Sequence, residues 1–404
     1  MNADRLARVA LSRLVEPGSH PLARAVAAVG AEAVWQALRR ARPVAGLSRA
    51  LADGAAHRAA DADPESDLRR LERSGGRVLV PGDDEWPSER LTWPADAAVA
   101  LHAPPLVLYA RGPASLAATT ARSVALVGAR AATAYGAHVA GAFGLGLAEA
   151  GAAVVSGGAY GIDGAAHRGA LAADAAPTVA VLAGGVDVAY PRGHDRLLAR
   201  VAETGLVLAE VPPGSAPLRP RFLVRNRLIA ALTQGTVVVE AALRSGSLST
   251  AARAAELSRP VMAVPGPVTS AASAGCHQLL RDGALCVTSA REVLDQVGAS
   301  GEDLCTPGRG RTDLRDDLPA ALRQVLEAVP VRRGAGEASI ARTAGVSTLV
   351  VQQVLPPLLV AGLVEPTDGG YRLTALGAQR PVPPAPVPPA PVEQRDDVGS
   401  GVLP

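Results

Sequence analysis

The 404-residue chain predicts an open, doubly wound α/β sheet as its central domain, preceded by a helical domain and followed by a small domain of helices and a hairpin. Three observations lead there. Between about 104 and 297, short β-branched runs alternate with longer Ala-rich stretches, the pattern of βαβ units. Apolar residues make up 48% of the chain and aromatics only 2%, so the core is layered from Ala, Val and Leu, as under a Val-rich parallel sheet. At roughly 100–200 residues per domain, a chain of this length divides into two or three.

Residues 1–77 are rich in Ala, Leu and Arg, with apolar positions at helical spacing (Leu6, Val9, Leu11, Leu14, then Val26, Val29, Val34, Leu38), and predict a helical domain. The turn Pro81-Gly82-Asp83-Asp84 leads into the sheet domain, assigned to 78–299. Its strands are expected at 123–127, 153–155, 178–182, 206–209, 236–239, 261–264 and 285–288. Residues 300–315, rich in Gly, Asp and Arg, read as a linker. Residues 316–376 have the spacing of a winged helix: three helices, then a Gly-containing hairpin at 364–373. The tail, 377–404, is Pro-rich and low in complexity, so polyproline II or disorder is expected.

Forty basic and 38 acidic residues leave a net charge of +2, and bulk electrostatics make no case for a nucleic-acid partner; any such case must be local. Every basic residue is Arg. Cys276, Cys286 and Cys305 are odd in number and form no CxxC pair, which argues against a disulfide framework and a structural zinc and points to a reducing compartment. The N-terminus carries Asp4, Arg5 and Arg8 and has no unbroken apolar stretch, unlike a secretory signal. The most apolar window, 139–155, is interrupted by Glu149 and reads as a core helix running into a strand. A cytoplasmic protein without membrane, metal or cofactor is expected.

In an open α/β sheet, ligands bind beyond the carboxyl ends of the strands. The first of the seven strands ends in Gly128-Ala129-Arg130 and the second in Ser156-Gly157-Gly158-Ala159-Tyr160-Gly161-Ile162-Asp163. The third ends in Gly184-Gly185-Val186-Asp187, followed by Tyr190-Pro191-Arg192, and the fourth leads to Arg219, Arg221, Arg225, Asn226 and Arg227. Ser156 to Gly161 has the spacing of a dinucleotide fingerprint with Ser in place of the first Gly, and Asp187 stands too far on for the usual acid. Either backbone N–H groups there approach a phosphate, or the turn needs glycine for its own shape. Four arginines with no acid between Arg219 and Arg227, interrupted by Phe222 and Leu223, suit gripping a phosphate backbone while stacking a base. A solvated basic helix face is the other reading. Asp163 and His167 lie four apart on one helical face; a helix-start acid with a packing histidine is preferred to an acid–base pair. Ser245 and Ser247 offer hydroxyls at a helix start, for capping or an anion. No GxSxG, HExxH or P-loop occurs.

These residues, taken together, resemble a known family. Gly128-Ala129-Arg130 with Thr133, Tyr135 and Gly136; Ser156-Gly157 with Gly161-Ile162-Asp163 and Ala165-Ala166-His167; Tyr190-Pro191; Arg225-Asn226-Arg227; and Ser245-Gly246-Ser247-Leu248 with Thr250-Ala251 are similar, in that order, to the DNA-processing protein A (DprA) family. Pro104-Pro105 before Leu108-Tyr109 and Gly112 resembles the start of that family's extended Rossmann-like domain. The resemblance implies a single-stranded-DNA-binding protein that protects incoming DNA and loads RecA recombinase during natural transformation, with single-strand-binding protein as a further partner. It implies a homodimer built through the Rossmann-like domain, a sterile-alpha-motif-like (SAM-like) N-terminal domain and a C-terminal winged helix. The DNA-binding residues it points to are Arg130, Ser156, Gly157, Gly158, Gly161, Arg192, Phe222, Arg225, Asn226 and Arg227, with Gly128, Asp163, Ser245 and Ser247 shaping the loops. No catalysis is implied.

The chain departs from the family at Leu223, where many members have Pro, and at His194, where many have Asn. Pro356-Pro357 falls inside the expected third helix of the winged domain, where an interior proline costs about 3 kcal/mol. That helix offers Gln352 and Gln353 but no arginine, which favours an interaction or regulatory role over reading a major groove. Two other functions fit parts of the sequence. One is a nucleotide phosphoribohydrolase on the related lysine-decarboxylase-like fold, motivated by Gly235-Thr236 and Glu240 but lacking Pro-Gly-Gly, since Leu232-Thr233-Gln234 stand there. The other is a nucleotide-sensing regulator with the winged domain as output.

Overall fold

Every residue of Ser123–Val127 is buried, and alternation along this strand explains the layering of the larger unit. Ala125 and Val127 point to one face, with Leu228, Ile229 and Ala231 of helix Arg219–Ala231 and Leu232 just after it. Val124 and Leu126 point to the other, against Ala140, Phe143 and Leu147 of helix Ala134–Glu149 and Ile162, Ala165, Ala166 and Ala170 of helix Ile162–Ala173. A strand apolar on both faces needs helices on both faces, which is the doubly wound arrangement the sequence predicts. Helices Ala134–Glu149 and Ile162–Ala173 pack backbone to backbone: a Cβ on Gly144 would overlap the Ala166 carbonyl and one on Gly169 that of Gly141. That close approach accounts for the small residues of this apolar window.

The computed structural model describes residues 2–93, 102–298 and 318–378 and divides into two compact units, Met1–Cys305 and Thr306–Pro404. The first holds a nine-stranded sheet: β1 (Gly76–Leu79), β2 (Leu108–Arg111), β3 (Ser123–Val127), β4 (Ala153–Ser156), β5 (Thr178–Leu182), β6 (Leu206–Ala209), β7 (Gly235–Val238), β8 (Val261–Ala263) and β9 (Leu285–Cys286). Their order is β1-β2-β6-β5-β4-β3-β7-β8-β9. All seven expected strands are present. β3 to β9 run parallel, and β1 and β2, which the sequence reading did not resolve, extend the β6 edge antiparallel. The chain leaves β3 for β4 on one side and returns to β7 on the other, so the switch point of the sheet lies between β3 and β7.

Five helices precede the sheet: Ala3–Leu14, His20–Val29, Ala31–Arg39, Arg49–Ala60 and Pro64–Arg73. Leu11, Leu14, Leu22, Val26, Val34, Trp35 and Leu38 form their core. The boundary expected at 77 falls inside β1, and polar ties cross it. Arg5 donates to the Val78 carbonyl at 2.7 Å, Ser12 and Tyr109 share a hydroxyl hydrogen bond of 2.7 Å, and Arg13 reaches the Pro213 carbonyl at 3.0 Å.

The second unit has helices Ala320–Ala328, Glu337–Ala344 and Thr348–Val360 and the hairpin Val364–Thr367/Gly370–Leu373. The last helix runs through Pro356 and Pro357. Both prolines are exposed, so the Gln352 and Gln353 carbonyls left without an amide partner can be solvated, while Val351, Val354, Leu355 and Leu358 anchor the buried side. Its outer face shows Leu349 and Val360 rather than arginines. The expected linker at 300–315 lies outside the described residues, as does the tail from 379 onward. Among the described residues no single helix is long and apolar enough to cross a membrane.

One buried group makes the larger unit acid-sensitive. His167 is fully buried, and burial pushes its imidazole from the ordinary 6.5 down to about 3. Thr178 spends its hydroxyl hydrogen on the Val154 carbonyl, so His167 Nδ1–H donates to Thr178 Oγ1 at 2.8 Å and Nε2 has no partner. The unfolded chain therefore binds one more proton than the folded one between about pH 6.5 and pH 3, and stability falls as pH falls through that window, by up to about 1.4 kcal/mol per unit. His167→Asn is expected to flatten the dependence of the urea midpoint on pH between 6.5 and 4. Identical slopes for both proteins would show that His167 is not held neutral.

Candidate nucleic-acid interface

The carboxyl ends of β3 and β7 diverge at the switch point, and a cavity of about 600 Å³ opens there. One wall is Gly128, Ala129 and Arg130 after β3; the opposite wall is Ala242, Arg244, Ser245, Gly246 and Ser247 after β7. Helix Arg219–Ala231 closes a third side with Arg219, Phe222, Leu223, Arg225, Asn226 and Ile229. Those positions recur at three- and four-residue intervals, which places most of them along one helical face.

Glu240 shapes the first wall. Its carboxylate accepts from the Thr133 N–H at 2.8 Å and the Thr133 hydroxyl at 2.9 Å, while its carbonyl accepts from the Ala129 N–H at 2.6 Å. Thr133 in turn caps helix Ala134–Glu149 by accepting from the Gly136 N–H. The Arg130 loop is thus stitched to β7 from behind. On the second wall, Asn226 donates to the Gly246 carbonyl at 3.2 Å, and the Ser245 and Ser247 hydroxyls bond each other at 2.7 Å. At its far end the site helix is held by the Arg259 guanidinium, which donates to the Ala230 carbonyl at 2.8 Å and to those of Ala231 and Thr233.

The floor is charged. Arg225 is buried and donates to the Gly157 carbonyl at 2.9 Å and to the Val181 carbonyl. Burial lowers its pKa to about 10, so it stays a cation at neutral pH. Burial raises the Asp163 pKa, against the pull of Arg225 and of the Ala159 and Gly157 N–H groups, which donate to its carboxylate at 3.3 and 3.1 Å. At the mouth, Arg130, Arg219 and Arg244 are exposed and none is in a salt bridge with a described residue. The Arg130 guanidinium lies over the Phe222 ring, 4.7 Å from its centroid, and Tyr190 packs on Phe222 at 5.7 Å between centroids. A ring flanked by a guanidinium and a second ring, open to a cationic cavity, can stack a planar aromatic ligand whose anionic part is held by arginines.

Of the expected DNA-binding residues, Arg130, Phe222, Arg225 and Asn226 line this cavity, as do Gly128, Asp163, Ser245 and Ser247 of the expected loop set. The six others lie outside it. Arg227 is fully buried on another side of the helix, where it donates to Glu210 at 2.7 Å. Ser156 is buried and spends its hydroxyl on the Leu126 carbonyl at 2.6 Å. Gly157 and Gly158 are buried, and the Gly157 N–H already serves Asp163, so the turn needs glycine for its own shape and is not a phosphate cradle. Gly161 packs against the Ala129 and Arg130 carbonyls, and Arg192 is exposed outside the cavity. Arg244 and Tyr190 were not singled out as binding residues, and Arg219 was named only as one member of the basic run; one-face helical spacing from Phe222 sets it apart from Arg221 and Arg227.

The family model of DNA recombination-mediator protein A matches residues 77–298. The chain belongs to that family. A Mycobacterium tuberculosis chain that carries the name DNA processing protein DprA is 50% identical over 382 residues, 91% of this chain and 94% of that one. The DNA processing protein DprA of Streptococcus pneumoniae is 48% identical over 141 residues, 35% of this chain and 50% of that one. Its X-ray structure aligns with a TM-score of 0.61 at 31% identity, covering 74% of this chain and 99% of that one. The extended sheet of this family is therefore the fold of residues 77–298.

Proposed function

We propose that this chain binds single-stranded DNA in the switch-point cavity and acts as a recombination mediator without catalysing a reaction. The observation that carries the reading is the set of three exposed arginines, Arg130, Arg219 and Arg244, around the half-buried ring of Phe222. Phe222 needs a base face to stack on, and a duplex keeps its base faces inside the stack. About 600 Å³ is within the range of pockets that enclose a small organic group, which suits one or two unstacked nucleotides.

The hydrolase alternative finds less support. Glu240, its motivating acid, has both carboxylate oxygens engaged by Thr133, and the cavity serines bond each other with no histidine lining it. No group of three or more His, Cys, Asp or Glu that could hold a metal occurs among the described residues. The finer reading rests on family membership: a cytoplasmic homodimer that bridges single strands and loads RecA onto DNA coated by single-strand-binding protein. Linked pockets would add affinity through effective concentration. A RecA ATPase assay on coated strands tests it; no stimulation by protein that binds single strands normally would remove the mediator role.

Single strands should be preferred to duplex, with a slope of log K against log salt near −2 for three phosphates held. Arg130→Ala and Arg219→Ala should each weaken binding about tenfold and reduce the slope by about 0.7, whereas Arg39→Ala, on the N-terminal helices, should do neither. Fluorescence anisotropy across a salt series reads both; equal losses at all three positions would move the site elsewhere.

A further inference from the structure

We infer that the single-strand site continues out of the cavity onto a second stacking platform, Tyr160 seated on His194, which lies beside Arg192, a residue that the family resemblance already points to as DNA-binding. The inference rests on the cavity being a single-strand site and concerns where the strand goes next. The chain has five Tyr and two Phe. Phe143 and Tyr109 are core residues, Tyr371 belongs to the hairpin of the second unit, and Tyr135 is tied through its hydroxyl to the Pro265 carbonyl at 2.6 Å. Phe222, Tyr190 and Tyr160 are all found at the carboxyl end of the sheet, the last two 43% and 49% exposed.

The path between them is continuous. Phe222 and Tyr190 pack together at the cavity mouth. Two residues past Tyr190 the turn Arg192–His194 begins, and His194 meets the Tyr160 ring edge to face, centroids 4.7 Å apart at 72°. The other neighbours of Tyr160 are also site residues: Ala159 lines the cavity, and Gly161 abuts the Arg130 carbonyl.

Tyr160 is held rather than loose. His194 is buried, and its Nδ1–H donates to the Gly158 carbonyl at 3.0 Å. A Cβ on Gly193 would come within 2.5 Å of the Tyr160 hydroxyl, and one on Gly164 within 2.5 Å of the His194 ring, so glycines make the room in which both rings sit. A large ring fixed from below and left half in water loses little conformational entropy when a planar group stacks on it. Arg192, exposed and without a salt bridge to a described residue, is two positions from His194 and can take the phosphate of a base stacked there. Aromatic faces alternating with arginines along an open path suit the bases and backbone of an unpaired strand of any sequence.

The test compares two thymidine oligomers by anisotropy, one of about two nucleotides, which the cavity can hold, and one of about sixteen. Tyr160→Ala should weaken the longer about tenfold and leave the shorter within about twofold, while Tyr160→Phe, which keeps the ring, should bind both like the parent. Arg192→Ala should lower the salt slope by about 0.7 for the longer oligomer alone. Equal behaviour of Tyr160→Ala and parent on the longer oligomer overturns the platform, as does an equal loss on both. Arg130→Ala separates this from the parent reading: it should weaken both oligomers, and if it weakens neither, the cavity itself is not the site.

Discussion

Arg227→Met is expected to destabilise the larger unit by about 3–5 kcal/mol while leaving the salt slope of DNA binding unchanged. The arginine is 0% exposed, its Nη2 donates to Glu210 at 2.7 Å, and its guanidinium lies 5.9 Å from the Trp93 ring centroid. Burial already raises the Glu210 pKa, and Arg227 is the main force opposing that rise. Removing the cation leaves a buried carboxylate with nothing to balance it, which costs far more than the net worth of the pair. Because the deserted carboxyl would hold a proton more readily in the folded chain than in the unfolded one, the deficit should shrink as pH falls. The companion variant Arg227→Met/Glu210→Leu should recover much of the loss, since an apolar replacement of both partners removes the unpaired charge. Trp35, Trp86 and Trp93, the chain's three tryptophans, all belong to the larger unit, so urea unfolding followed by tryptophan fluorescence reports on it selectively. A stable Arg227→Met protein with a reduced salt slope would instead put this arginine on DNA.

Gly161→Ala should be nearly as disruptive, and its damage should fall on Arg130. Gly161 has φ +75° and ψ −125°, a conformation that L side chains rarely adopt and that costs of order 1–3 kcal/mol for a non-glycine residue. A Cβ there would also overlap the carbonyl oxygens of Ala129 and Arg130, both backbone atoms that cannot swing aside. The Arg130 loop has to move, and it is held on its other side by the Glu240 carbonyl. The expected result is a lowered thermal midpoint together with a loss of single-strand affinity matching that of Arg130→Ala. The double variant Arg130→Ala/Gly161→Ala should bind no worse than either single one, because both remove the same contact. Additive losses would give Gly161 a separate role in binding.

The central sheet was readable because its information is local. Runs such as Ser123–Val127 and Thr178–Leu182 are apolar on both faces, and only a parallel strand under two helical layers buries both. β1 and β2 were not readable, because their antiparallel pairings, β1 with β2 and β2 with β6, join segments distant in sequence outside the βαβ pattern. That Gly128-Ala129-Arg130 ends a strand was readable, but its position at the switch point needed the strand order of the folded sheet.

The arginine run shows where linear reading ends. In sequence, Arg219, Arg221, Arg225 and Arg227 form one basic cluster without an acid. In the fold they separate: Arg219 reaches the cavity mouth, Arg225 its floor, Arg221 pairs with Glu16 at 2.6 Å, and Arg227 with Glu210. Residues two apart on a helix point about 200° away from each other, so Arg225 and Arg227 cannot serve one ligand. The acids that neutralise the others are supplied by distant segments, Glu16 from before the second helix and Glu210 from the end of β6. By itself the sequence determined the layered sheet, its ligand-binding edge and the residue types gathered there, because periodicity and strand ends are properties of neighbours along the chain. Which arginines remain uncompensated, and which glycine N–H groups are already taken, only the tertiary structure decided, because charge pairing and hydrogen-bond satisfaction depend on groups that the fold alone brings within 3 Å.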